Sequence, residues 1–342
     1  KENGYWMEND QISVLVNKMG EISSFVLKSS GREFAAEPMN HLQMYKDVPR
    51  MFDAWDTDSN YIRQEMDGPG NVVVKVLCDK GMKGEIKVSG TIGNSSYEQI
   101  ISLTARSRRV EISMTVDWKE QHRLLKAAFP VSVYAREGIN EIQFGYVERP
   151  THRSRLYDKE RFEVCNHRYS ALCDGSHGAA VLNDSKYGIS MNENRLELSL
   201  LKAGCSPEMR ADNGVHRFIY AFTAWEGSFA DCDIVRQGYE LNVSPALCRG
   251  TIKTGNHFRT DSENIMLETV KLAEDGSGDW IVRLYESQKA AVKAKIMLPV
   301  LEGRKAFLCN MLEDKEEEIE VNDCEITLLF RAFEVKTVRI RK

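Results

Sequence analysis

The chain has 342 residues, 42% of them hydrophobic and 28% charged, a balance that fits an ordinary globular protein and excludes long disorder. A formal net charge of -5 and a pI near 5.9 give no electrostatic reason to expect nucleic acid or an anionic membrane as partner. No apolar run reaches the ~20 residues of a membrane span, and the length favours two packing units over one.

The start, Lys1-Glu2-Asn3-Gly4, carries no apolar h-region, so no signal peptide is read there. The first third then reads as β. Ile12, Val14 and Val16 alternate with polar neighbours, and Lys18-Met19-Gly20 offers a turn. Val72, Val74 and Val76 repeat the pattern, as do Ile86 and Val88. The clearest case is Val110, Ile112, Met114 and Val116, with Glu111, Ser113 and Thr115 on the opposite face. Such alternation, with turn residues between segments, predicts an antiparallel sandwich with one buried face.

Between these strands lies Met51-Phe52-Asp53-Ala54-Trp55-Asp56-Thr57-Asp58. Its clustered carboxylates suggest a calcium loop or an acid/base pair. The glycine and closing glutamate of an EF-hand are missing, so that reading fails, and a loop anchored to the core by Trp55 is expected instead.

The middle of the chain, residues 141–227, packs polar motifs tightly between apolar strand segments. At its centre is Leu182-Asn183-Asp184-Ser185-Lys186-Tyr187-Gly188. Asn, Asp, Lys, Tyr and Gly together suggest a turn that satisfies its own backbone and presents donors and acceptors on one surface. Asn183, Asp184, Lys186 and Tyr187 are therefore either a structural corner or a contact surface. Beyond it, Ile234, Gly238 and Leu241 share one face of a short helix that Asp231 is placed to cap.

From Asn242 to Asn264 the composition turns to Ser, Pro, Gly, Thr and Asn, which marks a boundary between domains at 1–250 and 262–342. β signals resume at Ile265-Met266-Leu267, Ile281-Val282-Arg283-Leu284, Val292 to Leu298 and Ile326-Thr327-Leu328. The acidic run Glu313-Asp314-Lys315-Glu316-Glu317-Glu318 reads as a solvated turn or sheet edge.

Catalytic signatures are sparse. The seven histidines show no HxH, HxxxH or HExxH spacing, and the eight cysteines form no CxxC pair, so no metal site is read from this chain. Free thiols in a reducing cytoplasm are expected rather than a disulfide framework. GxSxG and Walker patterns are also missing.

Several of these segments, in order, resemble the C-terminal β-rich region of the glycoside hydrolase family 38 α-mannosidases, in the branch with cytosolic and bacterial members. They are Asp53-Ala54-Trp55-Asp56, Leu125-Lys126 with Phe129-Pro130, Ile142-Gln143-Phe144-Gly145, Arg149-Pro150-Thr151-His152 and Arg161-Phe162-Glu163-Val164. The 182–188 heptad, Leu198-Ser199-Leu200-Leu201, Lys271-Leu272-Ala273-Glu274-Asp275, Arg283-Leu284-Tyr285-Glu286 and Phe333-Glu334-Val335-Lys336-Thr337 continue the series.

The resemblance implies an all-β fold: a large supersandwich of the galactose-mutarotase type followed by a small sandwich. It implies a retaining α-mannosidase acting on α-mannosides, with an aspartate nucleophile, a second carboxylate as acid and base, and a zinc ion that orients the sugar hydroxyls. Those groups belong to an N-terminal α/β barrel, whose HxD motif does not occur here, so this chain is expected to be inactive alone. The barrel of the same enzyme is the expected partner, with a homo-oligomer as a further one to test.

The same resemblance places a basic side chain at the edge of the sugar pocket. The matching position is Lys202, where relatives usually carry arginine, and lysine loses the planar fork of a bidentate contact. Asp212, Gly214 and His216 fall on the associated loop, with Gly214-Val215-His216 standing where the family has Gly-Arg-His. Two other readings stay open: a stand-alone carbohydrate-binding module using Trp6, Trp225 and Trp280, and an aldose-epimerase-like enzyme.

Overall fold

In the computed structural model, which describes residues 4–251, 255 and 257–342, the chain is all-β, with only short helices. It divides into two compact units, residues 1–141 with 147–244 and residues 142–146 with 245–342. The division falls at the start of the segment where composition changes. A short middle piece, 142–146, joins the second unit, which no linear reading of the sequence can find. Lys1-Glu2-Asn3, and residues 252–254 and 256 of the expected boundary, lie outside the described residues.

The first unit holds sheets of nine, five and four strands, paired antiparallel. At the middle of the large sheet runs Gly214–Glu226, flanked by Val110–Trp118 and His177–Asn183. The alternation read in the sequence is realised here: Val110, Ile112, Met114 and Val116 are buried, and Glu111, Ser113 and Thr115 are not. Phe222 of this sheet stacks on Phe129 of the five-stranded sheet at 5.7 Å and meets Phe25 of the four-stranded sheet edge-on at 4.9 Å. Three sheets thus close on one apolar core. The buried Tyr220 hydroxyl donates to Asn40 Oδ1 at 2.6 Å and accepts from Gln99 Nε2 at 2.8 Å, so this phenol is satisfied within the core.

Close packing leaves little room at Gly178, where an added Cβ would lie 2.2 Å from the Trp225 ring. The strand Gly70–Cys78 is the outermost of the large sheet, and Val76 is exposed although the pattern predicted burial. An edge strand has a neighbour on one side only, so its apolar side chains lose part of their cover.

The second unit packs a five-stranded sheet and a three-stranded sheet over Val282, Leu284, Ile296, Leu328, Val338 and Ile340. Its piece 142–146 contributes Phe144 against Tyr285 at 5.6 Å and Tyr146 against Phe333 at 5.0 Å. The acidic run supplies the edge strand Lys315–Ile319 as expected, except that Glu313 turns inward and pairs with Lys271 at 2.7 Å.

The expected helix forms at Ile234–Asn242, but Asp231 does not cap it. Its carboxylate accepts from the Ser228 backbone at 2.8 Å and closes the preceding 3-10 turn. Asp233 stands at the helix start and accepts from Gln237 Nε2 at 2.8 Å.

Candidate functional site

The polar machinery of the first unit gathers on the outer face of the five-stranded sheet. In Arg123–Pro130, Leu125, Ala127 and Phe129 face the core, and Leu124 and Lys126 face the other way. A buried lysine on an interior strand of a sheet is costly unless its charge is met. Lys126 is fully buried, and its Nζ donates to Glu163, to Tyr61 Oη at 3.1 Å and to Ser190 Oγ at 2.9 Å. Glu163 also accepts from the Tyr61 hydroxyl and from Ser199 Oγ at 3.1 Å.

The network continues through Ser190 to Glu197 at 2.9 Å, which Arg195 Nε grips at 2.5 Å. Burial works to raise the Glu197 pKa, but Lys126 and Arg195 outweigh it and hold the carboxyl below its ordinary range. Burial, with Glu163 beside it, pushes the Tyr61 phenol far up, so Tyr61 stays protonated.

Lys202 reaches the same face through a backbone irregularity. Leu125 pairs with Leu201 but Lys126 pairs with Ser199, a bulge that sets Leu200 and Leu201 both in the core. Strict alternation from Ser199 would have turned Lys202 inward, and the extra residue restores it to the outer face. There Lys202 pairs with Asp47 and donates to Asp56 O at 2.7 Å and Thr57 Oγ1 at 3.3 Å. With Thr57, Glu163 and Ser199 it lines an open cavity of about 250 Å³. Burial lifts the Asp47 pKa above its ordinary range despite the pull of Lys202.

Lys202 thereby ties down the loop of Met51 to Asp58. The expectation that Trp55 anchors this loop to the core is wrong: Trp55 is 76% exposed and Phe52 62% exposed. The loop is fixed by polar bonds instead, so its apolar side chains are free to face outward.

The other sequence-identified residues sit apart from the Lys126 network. Asn183 is buried; its Nδ2 donates to His167 O at 2.7 Å and its Oδ1 accepts from the Lys186 backbone at 2.7 Å. Asp184 bonds Ser185, and Tyr187 is half-exposed beside the His167 ring at 5.5 Å. Lys186 lies over the Phe218 ring at 4.3 Å, and burial lowers its pKa against the opposing pull of Asp184 and Asp212. Asp212 carries a positive φ of 60°, Gly214 stands in open space, and His216 Nε2 lies 2.6 Å from Asp212 O. Asn183 thus bonds within its own corner and, through its carbonyl, to Asn242 Nδ2 at 3.0 Å, and His216 bonds within its own loop.

Sequence spacing missed one grouping: Asp53, His122 and Cys205 place donor atoms within 4.8 Å of one another, the one such set of three among the described residues. No motif links these positions, and only the loop connections bring them together.

Architecture and site define an all-β chain of two sandwich units, the first with a sheet face that carries buried ion pairs. Residues 7–210 match the glycosyl hydrolases family 38 C-terminal domain, and residues 264–338 match the family 38 C-terminal beta sandwich domain. The chain belongs to glycoside hydrolase family 38, as its C-terminal portion. It is 34% identical to human alpha-mannosidase 2C1 over 96% of its length and 33% of that protein's. It is 32% identical to alpha-mannosidase G of Dictyostelium discoideum over 97% of its length and 32% of the relative's. An alpha-mannosidase crystal structure from Enterococcus faecalis V583 superposes with a TM-score of 0.80 at 13% identity, covering 98% of this chain and 42% of that one. The chain spans about a third of the length of the curated relatives it matches.

Proposed function

We propose that this chain is the non-catalytic β portion of a retaining α-mannosidase, bracing a catalytic α/β barrel and bordering its α-mannoside cleft. The observation that carries this reading is the loop of Met51 to Asp58, which presents Phe52 and Trp55 to the outside while Lys202 and Asp47 hold its base. On this reading, those two exposed apolar side chains are the ones that meet the barrel. The barrel is the partner this reading assigns, and Lys202 borders the sugar cleft beside it.

The zinc of such an enzyme belongs to the barrel, where it would help orient the sugar. The enzyme works in the cytoplasm on this reading. The carbohydrate-module alternative loses one of its platforms, because Trp225 is buried and donates its indole N–H to Ser228 O at 3.1 Å.

The test is hydrolysis of an aryl α-mannoside, with and without added zinc or cobalt, by this chain and by a longer polypeptide that includes the barrel. Activity confined to the longer protein is expected. Metal-dependent turnover by this chain alone, free of any longer enzyme, would overturn the assignment.

A further inference from the structure

We propose that Asp53, His122 and Cys205 form a zinc site with three protein ligands and one open position. Their donor atoms all lie within 4.8 Å of one another, although they come from three separate loops. Two of these atoms, Asp53 Oδ1 and His122 Nδ1, are buried and have no hydrogen-bond partner. They stand 3.5 Å apart. That separation is too long for a good N–H···O bond, which needs ~2.7–3.2 Å. It matches two ligands of one tetrahedral ion, because metal–ligand bonds of ~2.0–2.2 Å set ligand-to-ligand edges of about 3.4 Å.

The surroundings hold the donors in place. Asp53 Oδ2 accepts from the backbone N–H of Cys205 at 2.6 Å and of Ser206 at 3.1 Å, which leaves Oδ1 directed away from that clasp. The His122 backbone N–H donates to Ala203 O at 2.6 Å, and its carbonyl accepts from the Asp47 N–H at 2.9 Å. Both ends of the imidazole's own residue are therefore fixed. Asp47 adds a buried Oδ1 with no partner.

Donor chemistry selects the ion. One carboxylate, one imidazole and one thiol exclude calcium and magnesium, which take oxygen ligands, and suit zinc. On binding, the Cys205 thiol gives its proton to solvent, and the thiolate with the Asp53 carboxylate offsets the two charges of the ion. A neutral centre can then sit beside Lys46 and Arg123, which line the adjoining cavity with His122. A Cys-His-Asp catalytic triad is the competing reading. It would place thiol and carboxylate on opposite ring nitrogens, well separated, whereas here all three donors converge on one point.

The ion would clamp the loop of Met51 to Asp58 to the segments at His122 and Cys205 that flank strands Arg123–Pro130 and Arg195–Ala203. The test uses the 342-residue chain, stripped with a chelator and titrated with cobalt as a spectroscopic stand-in for zinc. One equivalent should bind and give a thiolate-to-cobalt charge-transfer band. Cys205→Ser should abolish that band, and His122→Ala and Asp53→Asn should each weaken binding by on the order of 100-fold. The unmodified protein supplies a second readout that needs no variant: zinc should protect Cys205 from alkylation while exposed Cys165 and Cys248 stay reactive. No charge-transfer band, a band that survives Cys205→Ser, or equal alkylation of Cys205 with and without saturating zinc would each overturn the site.

Discussion

At the scale of single residues, buried charge dominates this protein. Lys126 has no exposure and depends on Glu163, Tyr61 and Ser190 for its compensation. Lys126→Met should destabilise the chain by about 3–5 kcal/mol, because Glu163 is left in a low-dielectric site without its cation. Urea unfolding measures this, and adding Glu163→Gln to the same chain should recover part of the loss. Lys202→Ala should act differently. It frees the Met51–Asp58 loop, so limited proteolysis there should quicken, and in the barrel-containing enzyme the Michaelis constant should rise. Unchanged proteolysis and kinetics together would remove Lys202 from both roles.

His41 and Glu21 form a more exposed pair, 2.6 Å apart. The Glu21 hydrogen bond holds the His41 imidazole above its ordinary pKa, and the same bond holds the Glu21 carboxyl below its own. Glu65 adds to the upward shift of His41, and Arg195 and burial oppose it. His41 therefore stabilises the fold fully below about pH 6.5 and loses its contribution as pH rises through the raised value. Glu21 contributes fully above about pH 4.5 and loses its part as pH falls through the lowered value. NMR titration should find the imidazole of His41 above the usual range, and Glu21→Gln should return it toward that range.

At the scale of elements, side-chain volume and strand register decide. The strand His177–Asn183 passes so close to Trp225 that a methyl group at Gly178 must displace the indole. Gly178→Ala should lower stability by about 1–3 kcal/mol, the cost typical of overpacking, seen as a lower thermal midpoint. The bulge in Arg195–Ala203 has the larger functional consequence. It lets Leu198, Leu200 and Leu201 enter the core and still leaves Lys202 on the opposite face beside Glu163. Leu198-Ser199-Leu200-Leu201-Lys202 alone gives no sign of where the extra residue is inserted, since both leucines at 200 and 201 suit a buried position.

At the scale of the whole molecule, the exposed side chains carry the clearest expectation. Phe52→Ala and Trp55→Ala together should change the stability of this chain by no more than ~0.5 kcal/mol per site, because neither ring is packed within it. In a polypeptide that includes the barrel, the same pair should destabilise the assembly measurably by calorimetry. Equal effects in both settings would remove this loop as the docking surface. The sequence by itself determined the all-β class, the stripe of Val110, Ile112, Met114 and Val116, the short helix that carries Ile234, Gly238 and Leu241, and the kinship with family 38, because these depend on local period and on ordered motifs. Only the tertiary structure decided that Trp55 faces outward, that residues 142–146 belong to the second unit, that Lys126 finds Glu163, and that Asp53, His122 and Cys205 converge. Each of these is set by how distant loops and strands meet in space, where a neighbour is chosen by register and packing rather than by position along the chain.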